Sequence, residues 1–137
     1  MALHPLVLAD LLDLEVRQAR DRLGARANDL HLDGHNLVMT LVRPDGTWTL
    51  RLDGERYDAE PFDVALVDDQ GEILAVEQWI PGFAHGIHSS LDVPWVCVSG
   101  TRGFYAHESH FTQRWDTDRY RHRADSLIDH LLRKAGL

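Results

Sequence analysis

Cysteine is almost absent from this sequence, which has only Cys97 among its 137 residues. A single cysteine excludes an internal disulfide framework and favours a reducing compartment, so we expect a cytoplasmic protein. Long apolar runs are also missing, since no stretch approaches the roughly 18 uninterrupted apolar residues of a membrane span. The first residues lack the basic start and apolar core of a secretory signal. The length and the ordinary apolar and charged fractions, 44% and 26%, predict one globular domain over residues 1–137.

Basic residues are scarce in the middle of the chain. Residues 44–110 contain 3 basic and 12 acidic side chains, whereas the whole chain has a formal net charge of −8. An acidic middle repels phosphate groups, so nucleic acid is not expected as a main partner. We therefore expect no nucleic-acid partner, and the lack of long apolar runs predicts no membrane partner.

Helical periodicity is clear at both ends of the sequence. After Pro5, which suits a first helical turn, apolar residues recur at three- and four-residue spacing and predict an amphipathic helix that ends near residues 24–28. A last helix is predicted from Thr117 or Asp118 to a stop at Gly136. We expect its apolar face to bury Tyr120, Ala124, Leu127, Ile128, Leu131 and Leu132.

The region after the first helix has the alternation of β-strands. Apolar and polar residues alternate over 35–43, 47–53, 61–67 and 72–79, and Pro44-Asp45-Gly46 has the residues of a tight turn. Short connections with this alternation predict an antiparallel meander with one solvated face. The predicted fold is therefore α+β: an N-terminal helix, a four-stranded antiparallel meander, an irregular Cys/His segment and a C-terminal helix. Two helices on one face of the sheet would bury both apolar stripes.

Histidines and the only cysteine cluster where these regular patterns lapse. His85, His88, Cys97, His107 and His110 fall within 26 residues of one another, and long loops on a rigid scaffold commonly carry sites. Imidazole and thiolate are the ligands that zinc prefers, usually four in a tetrahedron. Each histidine pair is three residues apart and needs a turn for both rings to share one side. The pattern predicts a site for zinc or another transition metal, and it leaves open whether His85 or His88 takes part.

Cys97 permits two other interpretations. It lies between large apolar neighbours, a setting typical of a buried and inert cysteine. A nucleophilic cysteine would instead need a neighbouring base, for which His88, His107 and His110 are the candidates. Glu108 is a candidate ligand or hydrogen-bond partner of a histidine, although carboxylates of this kind are most often simply solvated.

The order of elements, with a cysteine after the meander and a histidine shortly before it, resembles the ubiquitin-conjugating enzyme fold. In that family a His-Pro-Asn motif lies about ten residues before the catalytic cysteine, and its asparagine helps to stabilise an oxyanion. Here His88-Ser89-Ser90 begins nine residues before Cys97, and both the proline and the asparagine are absent. The resemblance implies the fold, while the missing amide argues against the standard conjugating chemistry.

A closer resemblance is to a group of bacterial proteins that are predicted to bind metal through a cysteine, a glutamate and two histidines. That group has a fold like that of the conjugating enzymes and is encoded in ubiquitin-like gene neighbourhoods. The stretch Pro-Trp-Val-Cys-Val-Ser-Gly-Thr-Arg-Gly-Phe-Tyr-Ala-His-Glu-Ser-His, residues 94–110, is similar to its signature. Glu108 is the nearest glutamate, and Gly103 is the alternative position for that ligand.

The resemblance implies a metal-binding domain that is an accessory in a bacterial ubiquitin-like pathway. Its partner would be a ubiquitin-like protein or the activating enzyme of that protein. Zinc or another transition metal would be held by Cys97, His107 and His110, with His88 or Glu108 completing the set. Two alternatives stay open: a ubiquitin-like conjugating enzyme with Cys97 as the thioester nucleophile, and a non-catalytic protein-interaction module.

Overall fold

The computed structural model describes residues 2–137. The regular elements are α1 Pro5–Leu23, β1 His31–Asp33, β2 Asn36–Arg43, β3 Gly46–Asp53, β4 Asp63–Val67, α2 Arg102–Ala106, α3 Trp115–Asp118 and α4 Ala124–Lys134. Short 3₁₀ turns occupy Gly24–Ala27, Val76–Gln78 and Glu108–His110. None of the helices in this described part of the chain has both the length and the apolarity that a membrane crossing requires.

The four strands form one antiparallel sheet in the order β1-β2-β3-β4, which confirms the predicted four-stranded antiparallel sheet. Alternate residues of β2 and β3 are buried and face each other across the strands, as in the pairs Leu37 with Leu52 and Met39 with Leu50. Thr40, between two buried positions of β2, is exposed. The alternation in the sequence therefore reflects one buried face and one wetter face.

One predicted edge strand does not belong to the sheet. The predicted strand over 72–79 is wrong, because this segment pairs with β4 only through an isolated bridge between Ile73 and Val67 and then closes into a 3₁₀ turn. The alternation of apolar and polar residues in this segment has another cause. Trp79 is buried and its indole N–H donates to the carbonyl of Leu74 at 3.0 Å, a contact that a curled segment permits and an extended strand does not.

The strand that sequence reasoning missed is β1, at the opposite edge. It has only three residues, two of which are exposed, so it carries no apolar alternation. Its pairing with β2 depends on a tight turn in which Gly34 takes a φ of +62°. Glycine adopts this left-handed conformation without the steric cost that other residues have.

Helices α1 and α4 pack against each other and share one hydrophobic core with the buried face of the sheet. The spacing of their buried residues is the three- and four-residue repeat of an amphipathic helix. The buried apolar residues of the two helices are Leu12, Val16, Ala19, Leu23, Ala124, Leu127, Ile128, Leu131 and Leu132. The predicted apolar stripes at both ends of the sequence are therefore confirmed, apart from one residue.

That residue is Tyr120, which is exposed instead of buried because α4 begins later than predicted. The predicted start at Thr117 or Asp118 falls in the short helix α3, and the chain leaves helical geometry before α4 starts at Ala124.

A side chain of α1 sets the start of α4. The buried carboxylate of Glu15 accepts hydrogen bonds from the backbone N–H of Ala124 at 3.1 Å and from the Tyr57 hydroxyl at 2.8 Å. Arg123 Nε lies 3.4 Å from the same oxygen. Glu15 therefore caps α4 from 109 positions away in the sequence, and no local pattern announces a cap of this kind.

Candidate functional site

The Cys/His segment is irregular but tightly held. His85 N–H donates to the carbonyl of Trp95 at 2.7 Å, and Trp95 N–H donates to Gly86 at 3.2 Å. Burial then alternates over residues 96–99, with Val96 and Val98 buried and Cys97 and Ser99 half-buried, and the N–H of Val98 turns back to donate to the carbonyl of Val96 at 3.1 Å. Cys97 and Ser99 are therefore the two partly accessible side chains of this run.

The only cysteine lies beside a histidine. Cys97 Sγ is 3.8 Å from His110 Nε2, close to the separation of two ligand atoms that share one zinc ion. The His110 ring stacks on Phe104 with centroids 3.8 Å apart and planes inclined by 16°. Phe104 is itself anchored, since its N–H donates to the Thr101 hydroxyl at the start of α2. The pair therefore has a fixed imidazole next to a partly accessible thiol.

His107 lies near this pair but does not contact the thiol. Its ring stacks on Trp95, with centroids 5.0 Å apart and planes inclined by 16°, and its centroid is 6.1 Å from that of His110. His107 Nδ1 accepts from the backbone N–H of Ser109 at 3.2 Å and lies 2.7 Å from Ser109 Oγ, whereas Nε2 has no hydrogen-bond partner in residues 2–137. Nε2 is thus the nitrogen that a ligand would reach.

His88 has a different role from the predicted one. It is 1% exposed, its Nε2–H donates to the Gly103 carbonyl at 2.9 Å, and its Nδ1 accepts from the N–H groups of Ser90 and Leu91 at 3.0 Å each. Both ring nitrogens are therefore occupied by backbone groups. His88 fastens its own loop to α2 and offers no lone pair to a metal or to Cys97, which corrects its prediction as a ligand and as a base.

The remaining predicted residues are on the surface. The Glu108 side chain is exposed at the start of its 3₁₀ turn, and His85 is exposed with its ring edge-on to Trp95 at 5.2 Å. The alternative glutamate position, Gly103, is buried, and a Cβ there would lie 2.8 Å from an atom of the Trp95 ring. A glutamate at this position would not fit, which leaves Glu108 as the carboxylate nearest in sequence to the histidines.

A second polar cluster was not anticipated from the sequence. Ser99 Oγ lies 3.0 Å from His122 Nε2, and the Tyr105 hydroxyl donates to Asp118 at 2.8 Å. Burial is the largest influence on two of these groups: it lowers the pKa of His122, and it raises the pKa of Tyr105 to about 12. Ser99 and His122 are 23 positions apart, and nothing in the local sequence marked either of them.

Another group with metal-ligating side chains lies at the far end of the β2–β3 hairpin. His35, Asp53 and Glu55 place one potential ligand atom each within 4.8 Å of the others, the one such set of three in the described residues. His35 Nε2 is 3.5 Å from Asp53 Oδ1, which also accepts from Glu55 N–H at 3.0 Å. His35 and Glu55 are exposed. This set competes with the Cys97 site in any experiment that only counts bound metal.

Comparison of the chain with protein-family models and with curated proteins finds no match.

Proposed function

We propose that Cys97 and His110 are the core of a transition-metal site, with zinc as the expected ion. The supporting observation is the 3.8 Å separation of Cys97 Sγ and His110 Nε2. Zinc binds sulfur at about 2.3 Å and imidazole nitrogen at about 2.0 Å, and a tetrahedral angle then separates the two ligand atoms by about 3.5 Å. A thiolate and an imidazole are also the donor types that zinc prefers. The pair needs an adjustment of only a few tenths of an ångström to share one ion.

His107 is the proposed third ligand. In the structure Nδ1 accepts from the Ser109 N–H, so metal binding requires the other tautomer, in which Nδ1–H donates to Ser109 Oγ at 2.7 Å and the lone pair of Nε2 is available. Histidines that bind metals usually donate their other N–H to an oxygen in this way. The His107 ring must swing away from its stack on Trp95, since no third ligand atom in residues 2–137 lies within 4.8 Å of both Cys97 and His110. Glu108 or a water molecule would take the fourth position.

The biological setting we propose is an accessory domain of ubiquitin-conjugating-like fold in a bacterial ubiquitin-like pathway. Two features support it: the order of helix, antiparallel meander, irregular segment with cysteine, and C-terminal helix, and the resemblance of residues 94–110 to the Cys-Glu-His-His signature. Its partner would be a ubiquitin-like protein or the activating enzyme. With four protein ligands the ion would be structural, and with a water in the fourth position it would supply an activated hydroxide for hydrolysis.

The test is elemental analysis of protein that was purified without a histidine tag and equilibrated with zinc. We expect about one zinc ion per chain at this site, lost in Cys97→Ser and in His110→Ala. His35→Ala is the matched control, because it removes the other histidine that lies near two potential ligand atoms. Metal that survives Cys97→Ser and disappears in His35→Ala would contradict the proposal.

A second candidate function uses the same pair without metal. His110 Nε2 is close enough to take the proton of Cys97 as the sulfur attacks a thioester on an activating enzyme. The acyl group would move to Cys97, and the thiol of the activating enzyme would leave with the proton. An adduct that is lost on adding excess thiol, and a stable oxyester in Cys97→Ser, would support this function. A chain with neither metal nor adduct would favour the protein-interaction module.

A further inference from the structure

Ser99 and His122 form a hydroxyl–imidazole pair that the proposed metal site does not use. Ser99 Oγ is 3.0 Å from His122 Nε2, and both side chains are half-buried. Ser99 lies two residues beyond Cys97 and is half-buried like it, but its histidine comes from the segment just before α4. The two nucleophile-type side chains therefore have separate imidazole partners, His110 for Cys97 and His122 for Ser99.

The backbone is shaped to let His122 reach Ser99. Gly100 has a φ of +99°, and a Cβ at that residue would lie 3.1 Å from the Cβ of His122 and 3.3 Å from its Cγ. Any side chain there would be strained by the backbone conformation and would also press on His122. Ser99 thus supplies the hydroxyl, and the absence of a side chain at Gly100 leaves room for the imidazole of His122.

The charges around the pair keep the imidazole able to accept a proton. Burial lowers the pKa of His122, and the positive charge of Arg121 lowers it further, while Asp118 opposes them. Asp118 is itself engaged, because it accepts from the Tyr105 hydroxyl at 2.8 Å and from Arg121 at 2.7 Å. At neutral pH the uncharged form of His122 is therefore favoured. In its tautomer with the proton on Nδ1, the Nε2 lone pair faces the Ser99 hydroxyl at 3.0 Å.

We propose that Ser99 is a nucleophile for acyl transfer, with His122 as its general base, and that its substrates are activated carboxylic esters or thioesters. The Ser99 hydroxyl proton passes to His122 Nε2 as Oγ bonds to the carbonyl carbon. The carbonyl–oxygen or carbonyl–sulfur bond then breaks, and the leaving alcohol or thiol takes the proton from His122. Water completes the cycle by the same route, releasing the carboxylic acid and restoring Ser99. The inference does not depend on a metal at Cys97.

The test is covalent labelling of the full chain with a fluorophosphonate, which a base-activated serine attacks at phosphorus with loss of fluoride and a proton. Peptide mapping by mass spectrometry locates the label in the unaltered protein. We expect it on Ser99, with a labelling rate that falls about 100-fold or more in His122→Gln, since a positioned base contributes about 10²–10⁴-fold. Ser89→Ala is the matched control, because Ser89 is an exposed serine in the neighbouring loop, and its labelling rate should equal that of the unaltered protein.

The outcomes separate an activated serine from a merely structural hydrogen bond. Label on Ser99 that depends on His122, with hydrolysis of 4-nitrophenyl acetate lost in both Ser99→Ala and His122→Gln, supports the proposal. An unlabelled Ser99 in the unaltered protein overturns it without reference to any variant. Equal labelling rates in His122→Gln and the unaltered protein, with both folded by circular dichroism, also overturn it.

Discussion

Replacing Glu15 by alanine should be among the most damaging single changes in this protein. The buried carboxylate is the acceptor for the N–H of Ala124 at 3.1 Å and the hydroxyl of Tyr57 at 2.8 Å, and it is 3.4 Å from Arg123 Nε. Each buried donor left without an acceptor costs about 1–3 kcal/mol, and removing one partner of a buried ion pair costs about 3–5 kcal/mol. Arg123 keeps its bond to Asp58 at 3.1 Å, which limits the loss. We therefore expect Glu15→Ala to lower the free energy of unfolding by about 3–5 kcal/mol.

Urea denaturation followed by circular dichroism measures this effect, and two further variants sharpen it. Glu15→Gln keeps an acceptor oxygen and should lose only about 1–2 kcal/mol. Asp13→Ala on the same helix removes an exposed ion pair with Arg17 and should change stability by less than about 1 kcal/mol. If Glu15→Ala were as mild as Asp13→Ala, the long-range cap would not determine where α4 begins.

Three other expectations follow from buried contacts. His88→Ala leaves without a partner the backbone groups that now bond to the ring, and it should lower the free energy of unfolding by about 2–4 kcal/mol. The folded variant should still bind zinc. Loss of zinc from folded His88→Ala would show that His88 is a ligand. Gly103→Ala places a Cβ 2.8 Å from Trp95, so we expect about 1–3 kcal/mol of destabilisation and a change in tryptophan fluorescence; unaltered stability and fluorescence would refute the close packing. Burial raises the pKa of Tyr57 in the folded protein, so above pH about 10 the unfolded chain binds fewer protons than the folded one and the free energy of unfolding should fall. Tyr57→Phe should remove the part of this fall that Tyr57 causes. An unchanged dependence of stability on alkaline pH in Tyr57→Phe would contradict the prediction.

The sequence predicted correctly those helices and strands whose repeating pattern of apolar residues matches the face that they bury. Helix α1 and strands β2 and β3 have periodicities that match their buried faces. The segment 72–79 was wrongly predicted as a strand because alternating apolar and polar residues indicate only that alternate side chains are buried. A curled turn that buries Trp79 can have the same sequence pattern as a strand. Strand β1 was invisible because its residues are mostly exposed.

The candidate site was predictable only in part, for a related reason. The clustering of Cys97 with histidines pointed to a thiol–imidazole pair, and His110 forms it. Sequence spacing did not reveal that backbone groups already occupy both nitrogens of His88. The pairing of Ser99 with His122 joins two segments that meet only in the folded chain, so it carried no local signal.

The central claim, that Cys97 and His110 bind one metal ion, is tested most directly by titrating the chain with cobalt(II) and recording its absorption spectrum. Cobalt reports its ligands, because a bound thiolate adds an intense charge-transfer band and tetrahedral geometry strengthens the visible bands. We predict both features at about one equivalent in the unaltered protein and in His35→Ala, no thiolate band in Cys97→Ser, and markedly weaker binding in His110→Ala. A chain that binds cobalt without a thiolate band, or whose band is indifferent to His110→Ala, would contradict the proposed site.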